Sequence, residues 1–199
     1  MTAGPRPRRS RTTTGGWKPI RFSPIGVIRS PHVSVAGTPI QPAFAEQVEG
    51  TVVLDEDLEP ALADIDGFER IWLVYWLDRA APFRPRVVPF RDVRERGLFA
   101  TRAPCRPNAV GLSVVRLLGR KRNVLRVRGL DILDGTPLLD IKPYVPQFDA
   151  HPGSAAGWFD ERAEDRHVAD DRFAPSPSAG NGICAQGRRG RSGKPRKKI

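Results

Sequence analysis

Several things are scarce in this chain, and each scarcity removes a class of protein. It has two cysteines, Cys105 and Cys184, too few for a disulfide framework and without the paired spacing of a zinc site. His32, His151 and His167 have no ligand spacing either, so no metal is expected. No stretch approaches the ~18 consecutive apolar residues of a membrane-spanning helix. The charged N-terminus has no apolar run behind it, unlike a secretory leader. These features lead us to expect a cytoplasmic protein with no membrane association. Repeated strand–helix units are also missing, as is a glycine-rich loop between a first strand and a helix, so a Rossmann-type nucleotide fold is excluded. No Ser/His/Asp arrangement stands out, and Cys105 has no base beside it in sequence, which marks it as a small buried residue.

Acidic residues are absent from both ends. Residues 1–21 carry six Lys/Arg and no acid, and residues 186–199 carry seven and again none. Removing those thirteen from the 33 basic residues leaves 20 against 22 acids, so the +11 charge of the chain resides in its ends and the body is nearly neutral. Flexible basic segments attract polyanions through counterion release without reading bases; the same composition also serves as a merely solubilising tail. The hydrophobic fraction is 39%, with 20 prolines and 19 glycines, which fits one domain flanked by unstructured ends. The expected organisation is a disordered basic tail over 1–20, a folded domain over 21–164 and a second disordered tail over 165–199.

Within the domain, short apolar runs alternate with turn residues. Strands are expected over 22–29, 50–54, 68–77, 97–102, 110–118, 123–130 and 139–144, with two helical turns over 59–65. Residues 68–77 (Phe-Glu-Arg-Ile-Trp-Leu-Val-Tyr-Trp-Leu) form the strongest strand, apolar on both faces and read as doubly buried. Trp72, Tyr75 and Trp76 suit a base-stacking platform by type, but their neighbours favour core packing. Gly119 to Arg122 suit a hairpin loop between the strands at 110–118 and 123–130. Many short strands and little helix give an all-β class: a small single-sheet β-barrel with short helical additions and disordered basic tails.

Two segments are dense in both turn formers and chemically able residues. In the first, Pro104 and Pro107 stiffen a loop that carries Arg102, Arg106 and Asn108. Two arginines so held suit a carboxylate or phosphate, and Asn108 suits a purine edge, which makes Arg106 and Asn108 candidates for RNA contact. A rigid turn with solvated arginines is the other reading. In the second segment, Asp134-Gly135-Thr136-Pro137 is a reverse turn. Asp140, Lys142 and Tyr144 follow on one face of an extended segment. They form either a group that binds adenosine or handles a proton, and hence candidate catalytic residues, or an exposed ion pair on a strand face.

These segments, together with Pro24 to Pro31 and Gly67-Phe68 with Trp72, resemble the TsaA-like or TrmO family of S-adenosylmethionine-dependent tRNA methyltransferases. The resemblance runs from Ile25 to Tyr144, about 60% of the chain. It implies a small β-barrel, a homodimer with the cofactor near the subunit interface, and methylation of N6 of the threonylcarbamoyladenosine at position 37 of tRNA, beside the anticodon. It places the cofactor on Gln41, Pro42, Ala43, Asp78, Arg79, Arg102, Leu112, Asp134, Gly135, Thr136 and Pro137. The N6 proton must be lost, and Asp140, Tyr144 and Asp78 are the candidates to take it. Asp78 stands where many members carry histidine, which raises a different acceptor as the alternative. Larger members continue into a C-terminal domain where this chain has a basic tail. A non-catalytic RNA-binding barrel is the rival from another class.

Overall fold

Alternation of apolar and polar residues drives the main strands into one closed sheet. In the computed structural model, which describes residues 19–161 and 166–175, six antiparallel strands close into a barrel in the order β1-β2-β7-β6-β3-β8. They are β1 (Gly26–Arg29), β2 (Glu49–Leu54), β3 (Arg70–Trp76), β6 (Val110–Lys121), β7 (Val124–Arg128) and β8 (Thr136–Pro143). A two-stranded ribbon, β4 (Arg86–Val87) with β5 (Arg96–Gly97), lies in the long β3–β6 connection. The helical additions are short, such as α1 (Pro146–Asp149) and α2 (Trp158–Glu161). The expected all-β barrel is what forms.

The interior is filled by every second side chain of each strand. Ile71, Leu73 and Tyr75 point inward from β3, and Val115, Leu125, Val127 and Leu138 meet them, all at most 6% exposed. The other face of β3 differs from the doubly buried expectation: Trp72 and Val74 are half-covered and Trp76 is exposed. Trp72 is shielded locally, its ring 5.9 Å from that of Tyr144 and its Nε1 donating to Asp149 Oδ2 at 3.3 Å.

Other departures have local causes. The β6–β7 hairpin turns at Arg122-Asn123, since Lys121 pairs with Val124 and Arg122 takes a left-handed φ of 54°. Gly119 instead sits at a shift in register. The expected helix at 59–65 is a 3-10 segment over Glu56–Leu62 with Pro60 inside it, and proline disfavours a regular α-helix there. The expected strand at 97–102 becomes a 3-10 turn over Leu98–Ala100, because Leu98 drops into a second small core with Ala81, Val87, Cys105 and Phe173.

Phe173 belongs to a segment that composition assigned to the disordered C-terminal tail. Residues 166–175 instead lie along the body. Val168 bridges Pro39, and the Ala169 and Thr38 backbones bond at 2.8 Å. The His167 ring stacks on Phe44 at 4.2 Å, and the Phe173 ring meets Phe90 edge-on at 5.0 Å. Composition reports average polarity and so misses a buried aromatic and the backbone bonds that hold this segment. The tail regions 1–18 and 176–199, with most of the terminal charge, lie outside the described residues.

Candidate functional site

Antiparallel order sorts the connections by barrel end. Strands β1, β7 and β3 run one way and β2, β6 and β8 the other. The connections 30–48, 77–109 and 129–135 therefore emerge together at one end, and the remaining connections lie at the other. Arg102, Arg106 and Asn108 lie on the second of these connections, which the ribbon and the small core stiffen. Gln41, Pro42 and Ala43 come from the first, Asp78 and Arg79 from the start of the second, and Asp134 and Gly135 from the third. Thr136 and Pro137 begin β8, and Leu112 lies near the start of β6. All these candidates come from elements at the same end of the barrel.

Hydrogen bonds tie the three connections together there. Arg102 Nη1 donates to Gln41 Oε1 at 2.5 Å, joining the second connection to the first. Arg79 Nη2 donates to the Asp134 carbonyl at 2.8 Å and to Thr136 Oγ1 at 3.0 Å, joining the second to the third. The Ser30 amide donates to Asp134 Oδ1 at 3.1 Å, and Arg29 stands 3.6 Å from the same carboxylate. Gly135 adopts a φ of 76°, which supplies the turn that presents Asp134. Arg79 Nε is buried and makes no hydrogen bond, with the Asp78 carboxylate 3.5 Å away. The Asp78 carboxylate compensates the charge of this buried group.

Arg106 is spent on its own loop. Its Nη1 donates to the Thr101 and Ala103 carbonyls at 3.0 and 3.3 Å, and its guanidinium lies 5.5 Å from the Phe99 ring. That bracing leaves Asn108 and Phe99 exposed at the loop surface. The structure does not bring Asp140, Lys142 and Tyr144 to this mouth. They lie along β8 toward the opposite end, where Asp140 pairs with Val74 and Lys142 with Trp72. At a rise of roughly 3.3 Å per residue, Tyr144 stands about 26 Å along the chain from Thr136. Lys142 Nζ and Asp140 Oδ2 form an exposed ion pair at 2.8 Å.

One polar group that sequence reasoning passed over reaches the same end of the barrel. Tyr75 and Ser113, both buried, hold their oxygens 3.0 Å apart, and Ser113 Oγ donates to Asp131 Oδ1 at 2.7 Å. Burial pushes the Asp131 carboxyl up to about 6, with the Ser113 hydrogen bond and the Arg102 charge opposing it. Burial, followed by the Asp131 charge, also raises the Tyr75 phenol. The available signal was parity: Ser113 shares the inward face of β6 with Val115, and an inward polar residue needs a partner. Among the described residues no cluster of His, Cys, Asp or Glu suits a metal ion, and no helix is long and apolar enough to cross a membrane.

Residues 27–150 match the tRNA-methyltransferase O N-terminal domain. The chain belongs to the TrmO family. It is 46% identical over 152 residues to a probable S-adenosyl-L-methionine-binding protein of Pyrococcus abyssi, covering 76% of this chain and 83% of that one. It is 32% identical over 148 residues to the tRNA (adenine(37)-N6)-methyltransferase of Escherichia coli, covering 69% of this chain and 63% of that one. A crystal structure of TrmO from Pseudomonas aeruginosa superposes with a TM-score of 0.60 at 38% identity, covering 70% of this chain. The match spans 62% of the Pseudomonas TrmO chain, so the similarity to that protein, as to the E. coli enzyme, is to a part of it.

Proposed function

We propose that this TrmO-family chain transfers a methyl group from S-adenosyl-L-methionine to N6 of the adenosine at position 37 of tRNA, with threonylcarbamoyladenosine as the acceptor. The observation that carries this reading is the convergence of three connections on one barrel mouth, where Arg102–Gln41 and Arg79–Asp134–Thr136 form a cross-braced polar cradle. The donor set fits the cofactor. Asp78 and Asp134 are carboxylates suited to hydroxyls and cationic groups, and Leu112 offers an apolar wall.

When bound, the sulfonium supplies an activated methyl group, and the protein's task is alignment and exclusion of water. Gln41 holds Arg102 toward the cradle, where its guanidinium suits a carboxylate. Thr136 Oγ1, fixed by its own bond to the Leu133 carbonyl at 2.7 Å, keeps Arg79 extended across the mouth. Exposed Phe99 and Asn108, on the loop braced by Arg106, suit stacking and edge contacts with unpaired RNA bases. Trp76, Val110 and Leu112 form an exposed apolar strip, 49, 42 and 55% accessible, on the outer face of β3 and β6. Such a strip supports a homodimer with the mouth beside its interface. A tRNA substrate implies work in the cytoplasm.

Calorimetry of cofactor binding tests the cradle. Arg102→Ala removes a charged hydrogen-bonding group worth about 1.5–3 kcal/mol, and binding is expected to weaken roughly 10- to 150-fold. Wild-type affinity in that variant would refute the assignment of Arg102.

A further inference from the structure

The buried chain of Tyr75, Ser113 and Asp131 has a direction. Serine has one hydroxyl proton, and Ser113 gives it to Asp131 Oδ1 at 2.7 Å. The Tyr75 hydroxyl, 3.0 Å from Ser113 Oγ, must then be the donor in that pair. The chain runs from phenol to hydroxyl to carboxylate and ends on the one member that is half-buried rather than enclosed. Its start is fixed by packing: a Cβ at Gly111 would lie 2.1 Å from the Tyr75 ring, so the ring rests against backbone. Its end sits on the 129–135 connection, whose Asp134 carbonyl and neighbouring Thr136 hold Arg79.

Several groups surround this carboxylate. Tyr75 comes from β3, Ser113 from β6 and Arg102 from the β3–β6 connection, and the Arg102 charge acts on both Asp131 and Tyr75. His32, from the β1–β2 connection, contacts the Leu130 carbonyl at 3.1 Å, one residue before Asp131. From β8, the Thr136 hydroxyl is committed to the Leu133 carbonyl.

We propose that Asp131 accepts the proton lost from N6 during methyl transfer, with Ser113 and Tyr75 as positioning residues that fix its carboxylate at the barrel mouth. The proposal rests on the methyltransferase reading. N6 forms its new bond to the methyl carbon as the sulfur–carbon bond breaks. The electron pair of the broken bond stays on sulfur, which becomes a neutral thioether. The N6 proton passes to Asp131, which later releases it to water. With its carboxyl held up at about 6, Asp131 is ionised at neutral pH yet more basic than a free aspartate, as the role requires.

The test combines carbon-13 NMR of carboxyl-labelled aspartate in the free protein with single-turnover methyl transfer to threonylcarbamoyladenosine-containing tRNA across pH. The Asp131 signal is expected to titrate near 6, and the wild-type rate to fall on the acid side of the same pH. Asp131→Asn is expected to lose about 100-fold or more in rate together with the acid limb, at cofactor affinity within about threefold of wild type. Ser113→Ala removes a hydrogen bond that favours the carboxylate, so the NMR titration moves to higher pH and the rate limb moves with it, and a purely structural role would not move the limb. An Asp131 signal titrating at the ordinary aspartate value overturns the proposal whatever the activity. So does an Asp131→Asn enzyme with wild-type rate and limb, or a limb unmoved in Ser113→Ala. A wild-type protein that transfers no methyl group refutes the methyltransferase reading itself, and this role falls with it.

Discussion

Replacing Asp131 by asparagine keeps the size of the side chain and an oxygen for Ser113 Oγ, and removes only the ionisation. In the folded protein burial raises this carboxyl from the ordinary 3.8 to about 6; in the unfolded chain it titrates at the ordinary value. Below about pH 4 it is protonated in both states and adds no pH dependence. Between about 4 and 6 the folded state holds a proton that the unfolded state has lost, so stability falls as pH rises. Above 6 both states are ionised and the loss is complete. About two pH units at 1.36 kcal/mol each make that loss roughly 3 kcal/mol. The asparagine variant has no such loss, so its stability relative to wild type should improve by roughly 3 kcal/mol between pH 4 and pH 7. Glu49, held low by Arg128, Asp92, held low by the Arg94 amide, and Asp170, held low by Arg172, act in the opposite sense. They are present in both proteins and cancel in the difference. Urea unfolding followed by tryptophan fluorescence at pH 4, 5, 6 and 7 gives the two stability curves. A constant difference across that range would refute the burial of the Asp131 charge.

Gly111→Ala forces a methyl group to within 2.1 Å of the Tyr75 ring, and overpacking of this kind costs about 1–3 kcal/mol; an unchanged urea midpoint would contradict the close packing. Phe173→Ala empties the second core and frees the ring contact with Phe90. Losing such a ring costs about 3–5 kcal/mol, so limited proteolysis should cut near residues 166–175 far faster than in wild type. Deleting residues 186–199 removes seven cationic side chains. If the tail engages RNA, log affinity against log salt becomes flatter, and an unaltered slope would leave the tail as a solubilising segment.

The barrel was legible because its strands alternate cleanly. Ile71, Leu73 and Tyr75 mark one face of β3, and turn residues separate each strand from the next. The mouth was legible through dense local patterns: a proline-stiffened loop brings Arg102, and the Asp134-Gly135 turn needs the positive φ that Gly135 supplies. What sequence could not show was decided by partners distant along the chain. Leu98 reads as part of a strand until a separate core formed with Phe173 claims it. Ser113 and Asp131 lie 18 residues apart and look unrelated until the barrel closes and sets them 2.7 Å apart. Asp140, Lys142 and Tyr144 share a face as the spacing requires, but which end of the barrel that face occupies depends on strand order.

Methyl transfer to a modified adenosine can be read out directly in one experiment. The purified protein is incubated with methyl-labelled S-adenosyl-L-methionine and tRNA from cells with and without threonylcarbamoyladenosine, and the labelled nucleoside is identified. Label on N6 of threonylcarbamoyladenosine, and only in the competent tRNA, is the predicted result. Label on another nucleoside, or none despite tight cofactor binding, would contradict the proposed acceptor.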